Sequence, residues 1–164
     1  MSKIAGISAA FLEVQAAAGA SAVQLFDSWA GALTPADYGR YVRPHSARVL
    51  AAAGELGVPR IHFGVGTSNL LALMGEAGAD VVGVDWRTPL ASAIPLVGER
   101  GVQGNLDPTL VFAPTDVMTR RAAEVIEAGR AAKGHIFNLG HGVIPSTDPD
   151  QLARLTEFVQ SYPL

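Results

Sequence analysis

Five clusters of polar and glycine residues could carry chemistry in this chain: Asp27-Ser28-Trp29, Gly64 to Asn69, Asp85-Trp86-Arg87, Gly104 to Pro108 and Asn138 to Gly142. Each follows a short apolar run. Residues of these types can cap the next helix and satisfy loop backbone. They can also gather at the C-terminal ends of parallel strands, where α/β folds hold their ligands. His141 is the sharpest candidate, because Gly140 and Gly142 free the backbone on both sides and set the imidazole at a strand mouth. There it can donate to an anionic group or handle a proton.

The other candidates are weaker. Gly64-Val65-Gly66-Thr67-Ser68-Asn69 holds the first two glycines of a dinucleotide fingerprint, but Asn69 stands in place of the third and no acid follows at the expected strand end. It reads better as a tight turn that brings backbone amides to the ligand face. Trp29 and Trp86 follow strand-end acids and can either wall a flat ligand or pack over the rim. Phe26 ends its strand facing core or pocket. His45, His62 and His135 fall within a helix, within a strand and at a strand start, which suits core or surface roles; no pair has metal-ligand spacing, and no metal is expected.

The elements that must position these residues alternate. Strands are predicted at Ala22 to Phe26, Arg60 to Phe63, Val81 to Asp85, Val102 to Asn105 and His135 to Leu139, mostly short and apolar like buried parallel strands. Gly19, Gly57, Gly78, Gly101 and Gly134 precede them, each where a helix would end in a left-handed residue. Thr34-Pro35, Thr88-Pro89 and Asp148-Pro149 each pair a capping residue with proline at the first helical position. Leu152, Leu155, Val159 and Tyr162 mark the last helix, and Met118, Ala122, Val125 and Gly129 the one before it. Near the start, Lys3 and Ala16 to Ala18 superficially imitate a signal peptide, but Ile4, Ile7, Phe11, Val14 and Ala18 form one stripe of an amphipathic helix. That stripe needs a protein surface to cover.

Composition bounds the answer. The chain has 164 residues, 49% of them hydrophobic and 16% charged, which suits one packed domain and excludes disorder. A net charge of −3 argues against nucleic acid and membrane surfaces as partners, and no apolar run reaches the roughly 20 residues of a membrane helix. With no cysteine there are no disulfides, thiolate chemistry or Cys-ligated metals, in keeping with a cytoplasmic protein. Regular αβ alternation means a parallel sheet, either doubly wound and open or part of a (β/α)8 barrel. Length alone favours the open sheet, since a full barrel takes about 250 residues.

Four motifs in register decide between them. Leu25-Phe26-Asp27-Ser28-Trp29-Ala30-Gly31, Gly83-Val84-Asp85-Trp86, Gln103-Gly104-Asn105-Leu106-Asp107-Pro108 and Asn138-Leu139-Gly140-His141-Gly142-Val143 with Pro145 resemble the uroporphyrinogen decarboxylase family in order and approximate spacing, from about Gly19 onward. The resemblance implies an α/β fold that is a partial (β/α)8 TIM-type barrel of about five parallel strands, with residues 1–164 as the C-terminal part and the N-terminal βα units absent. It implies a carboxy-lyase of haem and porphyrin biosynthesis that converts uroporphyrinogen III to coproporphyrinogen III plus four CO2, with no cofactor. It also implies a homodimer, or a separate chain supplying the missing half.

By the same resemblance, Phe26 corresponds to an apolar wall of the substrate cleft, and Ser28 and His141 to contacts with substrate carboxylates. The family's Arg-x-x-Gly-Arg segment, its pyrrole-facing aspartate and its cleft tyrosine have no counterpart here, so no catalytic residue is assigned and the chain alone is expected to be inactive. Arg87 is a possible cation at the site mouth. The absence of cysteine argues against the related zinc methyltransferases. The alternative reading is a non-catalytic half barrel that binds tetrapyrroles or self-associates.

Overall fold

In a computed structural model that describes residues 1–163, the periodic segments become seven helices alternating with five strands. Helix α1 (Ser2–Ala17) leads to β1 (Val23–Phe26). A short α2 (Pro35–Asp37) runs through a π-type turn into α3 (Arg43–Gly54), followed by β2 (Arg60–Phe63), α4 (Leu71–Glu76), β3 (Val81–Gly83) and α5 (Leu90–Val97). Then come β4 (Gly101–Gln103), α6 (Thr115–Gly129), β5 (His135–Ile136) and α7 (Pro149–Ser161). Among the described residues no helix is long and apolar enough to cross a membrane.

The strands are all parallel, and their order in the sheet is their order in the chain. A doubly wound sheet reverses direction at a switch point. This one never reverses, so its right-handed crossovers stack every helix on the same side. The open sheet favoured by length is therefore replaced by part of a barrel. Curvature is visible in one contact: Gln103 on β4 donates its amide N–H to Gln24 Oε1 on β1 at 3.0 Å. On a flat sheet, three strand spacings would separate those strands by about 14 Å.

Alternation along the strands sets what faces where. Val23, Val82 and Val102 point outward and are buried under the helices, while Gln24, Phe26, Phe63 and Gln103 take the opposite parity and face the trough. Leu50, Leu71 and Met74 pack with Val82 and Val102 in the largest core cluster. Met118 and Ala122 of α6 pack with Leu155 of α7, as their spacing predicted.

Several local expectations shift by a few residues. The third, fourth and fifth strands leave the ladder early, at Gly83, Gln103 and Ile136, although an isolated parallel bridge joins Leu106 and Leu139 further on. Beyond those points backbone pairing goes on irregularly, with the amides of Val84, Gly104 and Leu106 donating to the carbonyls of Gln103, Ile136 and Asn138 at 2.8, 3.0 and 3.1 Å, while Asn105 Nδ2 donates to the carbonyls of Asp85 and Thr88 at 2.9 and 2.6 Å. Thr34 and Asp148 cap as expected, accepting from the amides of Asp37 and Asp150. Thr88 does not, because α5 starts two residues later without a side-chain cap. Gly19, Gly57 and Gly78 take positive φ, but α5 ends at Gly98 instead of Gly101, and Gly134 is not left-handed.

Helix α1 docks on α3 through a different face from the stripe. Ala5 and Leu12 are buried with Val49 and Ala53, whereas Ile4, Ile7, Phe11 and Val14 remain 62–70% exposed. Leu50→Ala is expected to cost about 2–5 kcal/mol of stability, as for other buried leucines. Ile7→Ala should stay within about 0.5 kcal/mol, as exposed substitutions do. Urea denaturation of the two variants checks both values, and equal losses would contradict this burial pattern.

Candidate functional site at the mouth of the trough

The inward residues of β1, β2, β4 and the segment after β5 enclose an open cleft of about 260 Å3, with Gln24, Phe26, Phe63, Gln103, Asn138 and His141 on its walls. Phe26 meets Phe63 edge to face, with centroids 6.0 Å apart, forming an apolar wall. Opposite charge is absent from these six residues, and the polar groups are amides and one imidazole. Asn138 Oδ1 accepts from the amide of Leu139 at 2.9 Å.

Asp85 ties the mouth together. Its carboxylate is 1% exposed and accepts from the Gly66 amide at 2.6 Å, the Arg87 amide at 3.1 Å and Arg87 Nη1 at 3.2 Å. The Gly66 amide is thereby committed to a side chain, so the Gly64 to Asn69 segment works as a tight turn and its phosphate-loop resemblance has no structural content. Arg87 stacks over Trp86, 3.8 Å from the ring centroid. Trp86 in turn meets His141 edge to face at 5.8 Å. Gly140 permits that approach, since a Cβ there would collide with the Trp86 backbone nitrogen.

The predicted residues divide accordingly. Phe26 and His141 share the cleft. Ser28 is exposed one residue past Asp27 and is outside the cleft's lining. Arg87 faces a neighbouring pocket of about 300 Å3 with Asn105, Asp107 and Arg121, separated from His141 by the Trp86 ring. Trp29 is 88% exposed and lines neither of these two pockets. Among the described residues no three His, Asp or Glu side chains cluster as a metal-binding set.

One network was not anticipated. Asp27 Oδ2 accepts from Ser46 Oγ at 2.9 Å and Tyr38 OH at 3.3 Å, and lies 2.9 Å from Nε2 of fully buried His62. The other His62 nitrogen faces the Met74 carbonyl at 3.2 Å. Burial alone pushes the Asp27 carboxyl up, but hydrogen bonding and charge from His62, with the two hydroxyls, outweigh it and hold it below the ordinary range. Burial and the Asp27 charge raise Tyr38. The available signal was parity: His62 falls on the helix-facing side of β2, where a buried polar group requires a partner. The network fixes the residue between Phe26 and Ser28.

A singly wound, curled parallel sheet with its polar side chains collected at the strand C-termini belongs to the (β/α)8 barrel class, here in part. The same architecture occurs in a methyltransferase from Methanosarcina mazei, with a TM-score of 0.82 over 95% of this chain and 46% of that one, at 17% identity. That likeness concerns fold alone. The family model described as "Uroporphyrinogen decarboxylase (URO-D)" matches residues 1–162, and this chain belongs to that family.

Proteins named uroporphyrinogen decarboxylase from a Nocardioides species and from Salinispora tropica are 86% and 65% identical, over 98% and 96% of this chain. The chain spans less than half of their length, 47% and 43%.

Because the Asp27 carboxyl sits below its unfolded value of about 3.9, its contribution to stability is full above that pH and fades as pH falls through the lower folded value. Asp27→Asn should cost about 1–3 kcal/mol at pH 7, the range for hydrogen bonds to a charged group. Its stability should also fall less steeply between pH 5 and pH 2 than the wild type's. Urea midpoints across that range measure both effects, and superimposable curves would show that the network holds nothing.

Proposed function

We propose that residues 1–164 are the C-terminal part of a uroporphyrinogen decarboxylase that converts uroporphyrinogen III to coproporphyrinogen III with release of four CO2. The observation that carries this reading is the 86% identity to a relative bearing that name, sustained over 98% of the chain. The cleft supports it chemically. A substrate with several carboxylates and an apolar ring system meets an imidazole at His141, amides at Gln103 and Asn138, and the Phe26–Phe63 wall.

In this reading His141 and Ser28 hold carboxylates that do not react, and so orient the one that does. The pyrrole ring takes a proton at carbon and becomes an electron sink. The bond from the acetate methylene to its carboxylate then breaks, CO2 departs, and the electron pair flows into the ring. Protonation of the exocyclic carbon gives the methyl group, and loss of the proton first taken at the ring carbon restores the pyrrole. The Phe26–Phe63 wall disfavours charge on the reacting acetate and so favours its departure as neutral CO2. No side chain of this chain is assigned the proton transfers. Arg87, stacked on Trp86, is a rim cation that attracts the substrate's negative charge.

The full assembly works in the cytoplasm as a homodimer without metal or organic cofactor, and the chain by itself lacks turnover. A second reading, tetrapyrrole binding without reaction, is favoured by the fact that Phe26 and His141 meet in this chain alone. Mixing the chain with the portion of the Nocardioides relative that it does not match should yield coproporphyrinogen from uroporphyrinogen, while the chain alone yields none. Robust turnover by the isolated chain, or none by the mixture, would overturn the decarboxylase reading. Coproporphyrin binding to the isolated chain, followed by fluorescence, should weaken about tenfold or more in a Ser28→Ala/His141→Ala variant, equivalent to about 1.4 kcal/mol; unchanged affinity would exclude these residues as carboxylate contacts.

A further inference from the structure

His62 is wholly buried on the helix-covered side of β2, and both of its ring nitrogens meet oxygen. Nε2 lies 2.9 Å from Asp27 Oδ2, and Nδ1 lies 3.2 Å from the Met74 carbonyl. A neutral imidazole carries one N–H and one bare acceptor nitrogen, so it can satisfy only one of these two oxygens. The carbonyl can only accept. It stands in the last turn of α4, where the amides that follow are committed elsewhere: Ala77 donates to Leu73 and Gly78 to Gly75. Nδ1 therefore carries a proton and caps that carbonyl. The other nitrogen faces a carboxyl group that sits below its ordinary range and already accepts from Ser46 Oγ and Tyr38 OH. An ionised oxygen offers no proton, so Nε2 donates as well.

We infer that His62 stands as an imidazolium at neutral pH, paired with Asp27 behind the aromatic wall of the cleft, and that this buried ion pair positions Phe26 and Phe63. The register carries the second half of the inference. The ladder sets Leu25 against His62 and Phe26 against Phe63, and the Asp27 amide donates to the Phe63 carbonyl at 2.8 Å. Two neighbouring pairs thus straddle the sheet, Phe26–Phe63 on the trough side and Asp27–His62 on the outer side.

Successive residues of a strand point to opposite faces, so holding Asp27 against His62 sets the spacing at which the two rings leave the backbone. Phe26 needs such a tie, because it is the last residue of β1 and 62% exposed. Through Met74 and Ser46 the same pair fastens the wall to α4 and α3. The other titratable or charged groups around the pair are Tyr38, Arg43 and His45. Arg43 is paired with Glu76 at 2.8 Å, and His45 lines a small pocket beside Asp27. A buried charge of this kind is tolerated only while its partner is present. The inference rests on the decarboxylase reading for what the wall touches, and on this chain's own geometry for the charge and the pairing.

Nitrogen-15 NMR of the whole 164-residue chain tests the charge without any substitution. At pH 7 both His62 nitrogens should be protonated, each coupled to its own hydrogen. One bare nitrogen would overturn the inference. Asp27→Asn removes the counterion and keeps the Met74 carbonyl, so His62 should then show a protonated Nδ1 and a bare Nε2. His62→Gln keeps a side-chain N–H and drops the charge. In that variant the Asp27 carboxyl, followed by carbon-13 NMR, should titrate at higher pH than in the wild type. An unchanged titration would overturn the ion pair.

The wall is read separately. Nuclear Overhauser contacts between the Phe26 and Phe63 rings should be lost in Asp27→Asn, and their persistence in the folded variant would overturn the positioning role. Coproporphyrin affinity should fall about two- to tenfold, the range that one aromatic contact is worth. Lost ring contacts with unaltered affinity would leave the inference standing and remove the wall from the decarboxylase reading.

Discussion

The mouth of the trough depends on the buried carboxylate of Asp85. It draws in the turn after β2 through the Gly66 amide and the segment after β3 through Arg87. Asn105, at the end of β4, closes on the same place by donating to the Asp85 carbonyl. Trp86, held next in the chain, presents its ring to His141 from beyond β5. A buried carboxylate is tolerated only with such donors around it, because its desolvation costs several kcal/mol otherwise. Satisfying Asp85 therefore brings four strand ends into one arrangement, and His141 acquires a fixed neighbour despite sitting between two glycines.

Asp27 plays the matching part at the other end of the cleft. Ser46 and Tyr38 donate to a single oxygen that His62 also contacts, and all three lie on the outer, helix-covered side of the sheet. The backbone on either side of Asp27 then delivers Phe26 inward and Ser28 to the rim. Neither anchor touches the cleft itself. Asp27 sets geometry on the open side from the helix-covered side of the sheet and Asp85 from the turns at the mouth, and polar cleft residues such as Asn138 and His141 remain available to a ligand.

The structure is well closed on one side and open on the other. Helices cover the outer face of the sheet, where valines and leucines are almost wholly buried. Among the described residues the Gln24–Gln103 hydrogen bond spans the trough, and β1 pairs with no strand but β2. Both features have the same source: a barrel's inner layers and edges are completed by strands from all round the ring, and five strands supply only part of it. Membership of the decarboxylase family and a span of less than half the relatives' length are two expressions of that geometry.

The sequence by itself determined the alternation, because periodicity and helix-start signals such as Thr34 and Asp148 are local. It also carried the family through four motifs; His141 stood out from its flanking glycines, Phe26 and Ser28 were marked through the resemblance, and Arg87 was set at the site mouth as a possible cation. It could not choose between open sheet and barrel from length, since winding is a property of strand order, visible only when β1 to β5 stand side by side. Nor did it show that the Phe26–His141 pair would share a cleft while Ser28 and Arg87 fall outside it, or that Asp27 and His62 would meet. Those relations join residues 35 or more positions apart, as with Asp27 and His62. Burial decides them: a polar group enclosed by folding must find whichever partner the packed elements bring within reach, and local spacing contains no record of that distance.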